Sequence, residues 1–303
     1  MYGVIRSHPT PRALYAERLA ATGVVDAAGA DALLNGYNTS LEKGHVLERT
    51  TLRHVAGEFT RTDWRPFKGK GWEQEAETGV AVARLRELGE RLCELPEGFE
   101  PHDRAARIIG ERRKMIAGDI PLDWGCAENL CYASLVVTGH AVRLTGQDSI
   151  RGTFFHRHAA FYDKDVAARW SPLQHLAEDQ APFMMYDSLL SEGAVVGFEY
   201  GYATARPNAL VLWEAQYGDF ANGAQVMIDQ FISSGEAKWN RLCGLTLLLP
   251  HGYEGAGPEH SSARLERYLQ LCAGDNMQVC VPTTAAQIFH LLRRQVVREF
   301  RAP

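Results

Sequence analysis

The pattern of apolar and polar positions changes character near residue 117. Before that point apolar residues recur at helical spacing. Thr10-Pro11 opens a helix through Leu19, and proline suits a first helical turn. Ala28 to Glu42 places Leu33, Leu34, Tyr37 and Leu41 on one face. Val80 to Leu95 carries Val82, Leu85, Leu88 and Leu92 in register until Pro96 stops it, and Asp103 to Ile116 repeats the pattern. Thr50 to Glu75 has weak periodicity and reads as an extended linker holding Trp64 and Trp72.

From Ile120 short apolar runs alternate with helical stretches. Asp123-Trp-Gly-Cys-Ala-Glu-Asn-Leu opens a helix to about Thr138, and His140 to Leu144 reads as a strand. Thr153 to Tyr162 reads as a strand or an ordered loop. The central unit follows. An apolar-rich strand ends near Leu190, Ser191 caps a helix that begins with Glu192, and Ala209 to Trp213 is a buried strand. Phe220 to Ser233 is then predicted helical, Leu245 to Leu249 a strand and Ser262 to Cys272 a helix. Met277 to Val281 is predicted as a strand and Thr284 to Arg298 as the last helix, after which a returning strand would be expected but the sequence stops at Phe300-Arg-Ala-Pro. This alternation predicts an α/β fold with a doubly wound, mainly parallel sheet, preceded by a mostly helical segment. The expected division is 1–117 for the helical and linker segment and 118–303 for the α/β domain.

Composition narrows the class. The chain has 303 residues, 46% hydrophobic and 23% charged, enough for a large core. A formal charge of −5 leaves no broad basic field, so nucleic acid and anionic membrane are not expected partners. No apolar run is long enough to span a bilayer, and the first residues lack a signal-peptide core. The six cysteines are scattered without a Cys-x-x-Cys pair, which reads as buried, reduced thiols.

Three stretches carry candidate chemistry. Glu192 sits where strand becomes helix, at the sheet edge where open α/β sheets bind ligands, and the helix dipole favours a carboxylate there. Gly197 and Gly201 cost helix propensity and suggest a close approach of that helix to a neighbour. Gln216, Tyr217 and Phe220 follow the next strand at the same edge, so Glu192, Gln216 and Phe220 are expected to line one cleft, unless Tyr217 and Phe220 are core aromatics. The run from His251 to His260 follows a third strand and holds three glycines and two histidines. A separate pair, His156 and His158, would point to one face if carried on a strand, as in some zinc hydrolases. The bland reading is an interface strand of positive charge.

Several motifs together resemble one family: Asp123-Trp-Gly-Cys-Ala-Glu-Asn-Leu, Gly152-Thr-Phe-Phe-His-Arg-His, Glu199-Tyr-Gly-Tyr-Ala-Thr-Ala, Gly218-Asp-Phe-Ala-Asn-Gly-Ala-Gln and the Pro250 to Tyr268 run. They are similar to the thiamine-diphosphate-dependent, decarboxylating component of the 2-oxoglutarate dehydrogenase complex, in its linker and pyrimidine-binding domain. The resemblance implies that Glu192 shares a proton with the cofactor's aminopyrimidine and that Phe220, or Tyr217, stacks on its ring. It implies that His251 and His260 handle protons of the adduct, with Gln216 beside the cofactor. It further implies 2-oxoglutarate as substrate, a lipoyl-bearing succinyltransferase as partner and a homo-oligomer. Magnesium and the diphosphate would be held by a domain outside this chain, which would then be a fragment, inactive alone. Location would be cytoplasmic in a bacterium and the mitochondrial matrix in a eukaryote. Two further readings are another 2-oxoacid or ketose enzyme of the same superfamily and a non-catalytic interaction module.

Overall fold

The computed structural model describes residues 2–45, 62–165, 168–253 and 255–303. It divides into two compact units, Met1–Arg61 and Thr62–Pro303. The first holds helices α1 (Tyr2–Ser7), α2 (Pro11–Ala21) and α3 (Ala27–Glu42). Thr10 and Asp26 cap α2 and α3 through their side chains, at Ala13 N and Gly29 N. The apolar face expected of α3 is there, but Leu33, Tyr37 and Leu41 are exposed. The expected linker falls outside the described residues from Thr50 to Arg61. Its remainder includes one short 3-10 turn, Arg65–Phe67.

The second unit begins with α4 (Val82–Leu92) and α5 (Asp103–Ala117), which precede residue 118 and pack within this unit. Helix α6 (Trp124–Val136) starts at Asp123, whose carboxylate accepts from Cys126 N at 2.7 Å. Every residue of α6 from Gly125 to Val136 is buried, as an all-round apolar helix requires.

Four parallel strands form the sheet in the order β4-β1-β5-β6: β1 (Val142–Gly146), β4 (Phe183–Asp187), β5 (Leu210–Glu214) and β6 (Leu245–Leu248); β2 (Phe161–Tyr162) and β3 (Arg169–Trp170) form a separate antiparallel pair. Val142 pairs with Phe183 on one side and Leu210 on the other, and Leu212 pairs with Thr246. Strands β1 and β5 are buried along their whole length, as parallel strands covered on both faces must be. Leu210 and Leu212 of β5 join one core with Leu130, Leu135 and Leu292. Val211 and Trp213 join the other with Val196, Tyr200 and Tyr268. This period of two divides α6 and α10 (Ala285–Val297) from α7 (Glu192–Ala205) and α9 (Leu265–Leu271), one pair on each face. The doubly wound parallel sheet and the helical segment before it are therefore present.

Several elements differ from expectation. The strand before α7 ends at Asp187, because its Oδ1 accepts from Ile150 N at 2.9 Å and Ser188 N turns to Gly146 O. Leu189 and Leu190 are exposed. The single helix expected over Phe220–Ser233 is three pieces: a 3-10 run at Gly218–Ala224, a short α-turn at Gln225–Met227 and a π-turn at Ile228–Ile232. Ser233 and Ser234 hydroxyls both donate to Asp229 O, which loosens the ladder there. A short helix α8 (Gly235–Trp239) follows, and helix α9 starts at Leu265, since Arg264 takes a left-handed φ of 53° and donates to Asp219 O at 2.9 Å. Met277 to Val281 is not a strand: Gln278 N donates to Pro303 O, and the outer edge of β6 pairs with no strand among the described residues. Two of the six cysteines, Cys272 and Cys280, are exposed.

Candidate functional site

Glu192 is the first residue of α7, and Ser191 precedes it in extended conformation without a side-chain cap bond. The helix start packs on the 3-10 run through two glycines. A Cβ on Gly193 would lie 3.1 Å from Gly223 O, and one on Gly223 would lie 2.9 Å from Glu192 Oε2. This is the close approach that the glycine content suggested, but at different positions. Gly201 faces open space, and Gly197 meets only the Met227 side chain.

The 3-10 run also carries Phe220, and the residue before it, Tyr217, begins an aromatic row. Tyr217 and Phe220 rings lie edge to face at 6.0 Å. His260 stands edge-on to both, at 4.5 Å from Tyr217 and 5.4 Å from Phe220. Phe154 extends the row, 5.6 Å from Tyr217 and 6.3 Å from His156. Such edge-to-face sets make an apolar surface with a defined geometry.

The loop carrying the two candidate histidines folds on itself. Gly252 N donates to Ser261 O at 2.9 Å, and Gly255 lies so close to His260 O that a Cβ would overlap it. Gly218 N donates to Pro250 O at 2.9 Å, which ties the loop to the 3-10 run. His260 Nδ1 lies 3.3 Å from Glu259 Oε1. His251 is exposed, and its Nδ1 accepts from Ala263 N at 3.0 Å, so only Nε2 is left for a ligand.

Beside β6 lies a cavity of about 720 Å³. Tyr217, His251 and His260 line it, with Trp124, Glu128, Phe154, His156 and Glu214. Glu192, Gln216 and Phe220 do not line it. Tyr217 and His260 thus join the Glu192 side to the cavity, whereas Gln216 is half-buried at the strand end.

Sequence reasoning missed the charge under this site. Arg157 is fully buried and donates from Nε to Glu128 Oε2 at 2.8 Å, and from Nη1 to Glu214 Oε1 at 2.8 Å and to Ser149 O at 2.7 Å. Its other terminal nitrogen also reaches Glu214 Oε2. The two carboxylates push the Arg157 pKa well up against the opposing effect of burial. Glu128 also accepts from Trp124 Nε1 at 3.1 Å. The signal available was a Glu inside an apolar helix and a Glu ending an apolar strand, since buried acids are rarely unpaired.

The His-x-His reading fails structurally. Phe155 and His158 have φ of 59° and 41°, so the segment is a turn and the two rings do not share a strand face. Of Thr153 to Tyr162, read as a strand or an ordered loop, only Phe161–Tyr162 is a strand, paired with Arg169–Trp170, and the residues before it form the loop.

A parallel sheet with helices on both faces defines a doubly wound α/β class. Residues 121–303 match the family described as "Transketolase, pyrimidine binding domain", and the chain belongs to that family. Over all 303 residues it is 54% identical to the 2-oxoglutarate dehydrogenase E1 component of Azotobacter vinelandii, covering 32% of that protein. It is 54% identical to the protein of the same name from Cupriavidus necator and 50% identical to that from Haemophilus influenzae, in each case along the whole chain and 32% of the relative. The chain spans about a third of the length of the curated relatives it matches.

Proposed function

We propose that this chain is the pyrimidine-binding part of a thiamine-diphosphate-dependent 2-oxoglutarate dehydrogenase E1 component, with the domain proper over 118–303. The observation that carries this reading is identity of 54% along the entire chain to proteins of that name. The arrangement around Glu192 supports it. A carboxylate at a helix start, packed on Gly223 and next to the Phe220 turn, suits a flat heterocycle with a basic nitrogen. The residues therefore fit the pyrimidine. We assign magnesium and the diphosphate to protein outside this chain, as the resemblance implies.

The cofactor, when bound, supplies the electron sink for loss of carbon dioxide from a 2-oxoacid. In this reading Glu192 holds a proton against the pyrimidine nitrogen. Phe220 and Tyr217 give the ring an apolar wall and exclude water. His260, edge-on to both rings, moves a proton at the substrate, and His251 reaches it through Nε2. Gln216 stands at the strand end beside the same turn. The substrate is 2-oxoglutarate, and the succinyl group passes to a lipoyl-bearing succinyltransferase. Tyr186, Leu189, Leu190 and Phe198 are exposed around the Glu192 end of α7, which supports a homo-oligomer whose contacts cover them.

The test is carbon dioxide release from 2-oxoglutarate with thiamine diphosphate and magnesium. We expect none from the chain alone and turnover in the complete assembly. Turnover by the chain alone would place the diphosphate site within it, and preference for a different 2-oxoacid or a ketose would replace the substrate.

A further inference from the structure

His156 is held in place more firmly than a surface histidine needs to be. The turn that carries it has three residues at positive φ: Gly152 at 79°, Phe155 at 59° and His158 at 41°. Two of these are not glycine, which costs on the order of 1–3 kcal/mol each. The turn persists because its backbone is clamped. Asn129 Nδ2 donates to Arg157 O at 2.8 Å, the Arg112 guanidinium donates to Arg157 O and to His158 O, and Gly152 N donates to Asp148 O at 2.8 Å. Arg157 then anchors the turn from inside through Glu128, Glu214 and Ser149. What this clamp presents to the cavity is the pair of rings Phe154 and His156.

The two nitrogens of His156 differ. The ring lies flat on Gly152, where a Cβ would overlap it, and Nδ1 is buried with no partner. A proton on Nδ1 would be a buried N–H without an acceptor, which is unfavourable. Nε2 lies 3.9 Å from Glu128 Oε2, too far for a hydrogen bond, but the carboxylate favours a proton on that nitrogen. The charged groups facing the ring are Arg157, Glu128, Glu214 and Asp123. Burial, then Arg157, holds the imidazole below its ordinary value, and the three acids oppose this only in part. Burial and Arg157 thereby favour the neutral form of the ring. The cluster of Arg157, Glu128 and Glu214 has one positive and two negative groups, so an anionic ligand needs a donor placed between itself and that floor.

We propose that His156 is a further ligand-contacting residue of this site, a neutral imidazole that donates its Nε2–H to a carboxylate or carbonyl oxygen of the bound 2-oxoacid. Glu128 sets the tautomer, and Arg157 is a positioning residue that fixes the turn. This inference rests on the reading given under Proposed function.

Histidine tautomers are distinguished by long-range proton–nitrogen NMR, applied here to the complete assembly with thiamine diphosphate and magnesium, this chain ¹⁵N-histidine-labelled and 2-oxoglutarate the probe. We expect the Nε2–H tautomer of His156 from pH 6 to 8, and a shift of its Nε2 resonance on addition of 2-oxoglutarate. Glu128→Gln should give a mixture of tautomers. In the complete assembly His156→Leu should raise KM for 2-oxoglutarate about tenfold or more, and His156→Asn, which keeps a donor, should recover part of that loss. An Nδ1–H tautomer or an imidazolium at pH 7 overturns the proposal whether or not Glu128→Gln folds. So does a His156 that stays silent while His260 responds, a result that leaves the proposed function standing. Silence at both histidines sinks the two together.

Discussion

Gly125, in the first turn of α6, lies against the carbonyl oxygen of His156 with no room for a Cβ between them. At this point helix and turn meet backbone to backbone, beside the Asn129 and Glu128 side chains that hold Arg157 from the same helix.

Gly125→Ala should therefore lower stability by about 3 kcal/mol, at the upper end of overpacking costs, since the obstructing atom is backbone. Gly110→Ala in α5 is the control. Its Cβ meets nothing within 4 Å, and the exchange should stabilise by about 0.5–1 kcal/mol. Urea midpoints of the two variants decide the matter, and equal midpoints would contradict the packing argument.

Gly223→Ala should separate site from fold. Its Cβ would press on Glu192 Oε2 at 2.9 Å, the far end of a side chain that can swing away. Stability should change by less than about 1 kcal/mol. Thiamine-dependent decarboxylation in the complete assembly should fall toward that of Glu192→Gln, itself lower by about two or more orders of magnitude. Full activity of Gly223→Ala would show that the position of this carboxylate does not matter.

Acid sensitivity has a named contributor. Burial, followed by Arg112, pushes His158 down to about 4 from an ordinary 6.5. The unfolded chain takes the proton first as pH falls. Stability from this group is therefore full above about pH 6.5 and is lost on acidification toward pH 4. His158→Asn, which tolerates the left-handed φ, should flatten the fall across that window by roughly 1–3 kcal/mol. Denaturation midpoints at pH 4.5 and 7 measure it, and parallel curves for parent and variant would exclude His158 as the source.

Across the sheet, Arg143 of β1 meets Glu199 of α7 in two hydrogen bonds of 2.7 and 2.8 Å, with Thr145 Oγ1 adding a third at 2.9 Å. Glu199 is fully buried. Glu199→Ala leaves a guanidinium without its acid and should cost about 3–5 kcal/mol. Glu199→Gln, which retains acceptors, should cost less. A Glu199→Ala variant as stable as the parent would show that water replaces the pair.

What the sequence by itself determined is local and periodic. The alternation of apolar runs placed β1, β4, β5 and β6 within a few residues, and helical spacing placed α2 to α7 and α10, because side-chain direction follows from period alone. Glu192 could be put at a helix start for the same reason. Tertiary structure alone decided the rest. Met277 to Val281 has a strand's composition, yet strand pairing needs an open partner edge at the right distance, and its backbone turns to Pro303 instead. The 3-10 and π-turns after Tyr217 depend on Gly223 seating under Glu192 and on hydroxyls competing for Asp229 O. Arg157 joins residues 29 and 57 positions away in the chain, Glu128 and Glu214, and no window on the sequence spans that distance. Burial energy depends on what surrounds a charge in three dimensions, so a row of rings over a buried guanidinium is visible only once the chain has folded.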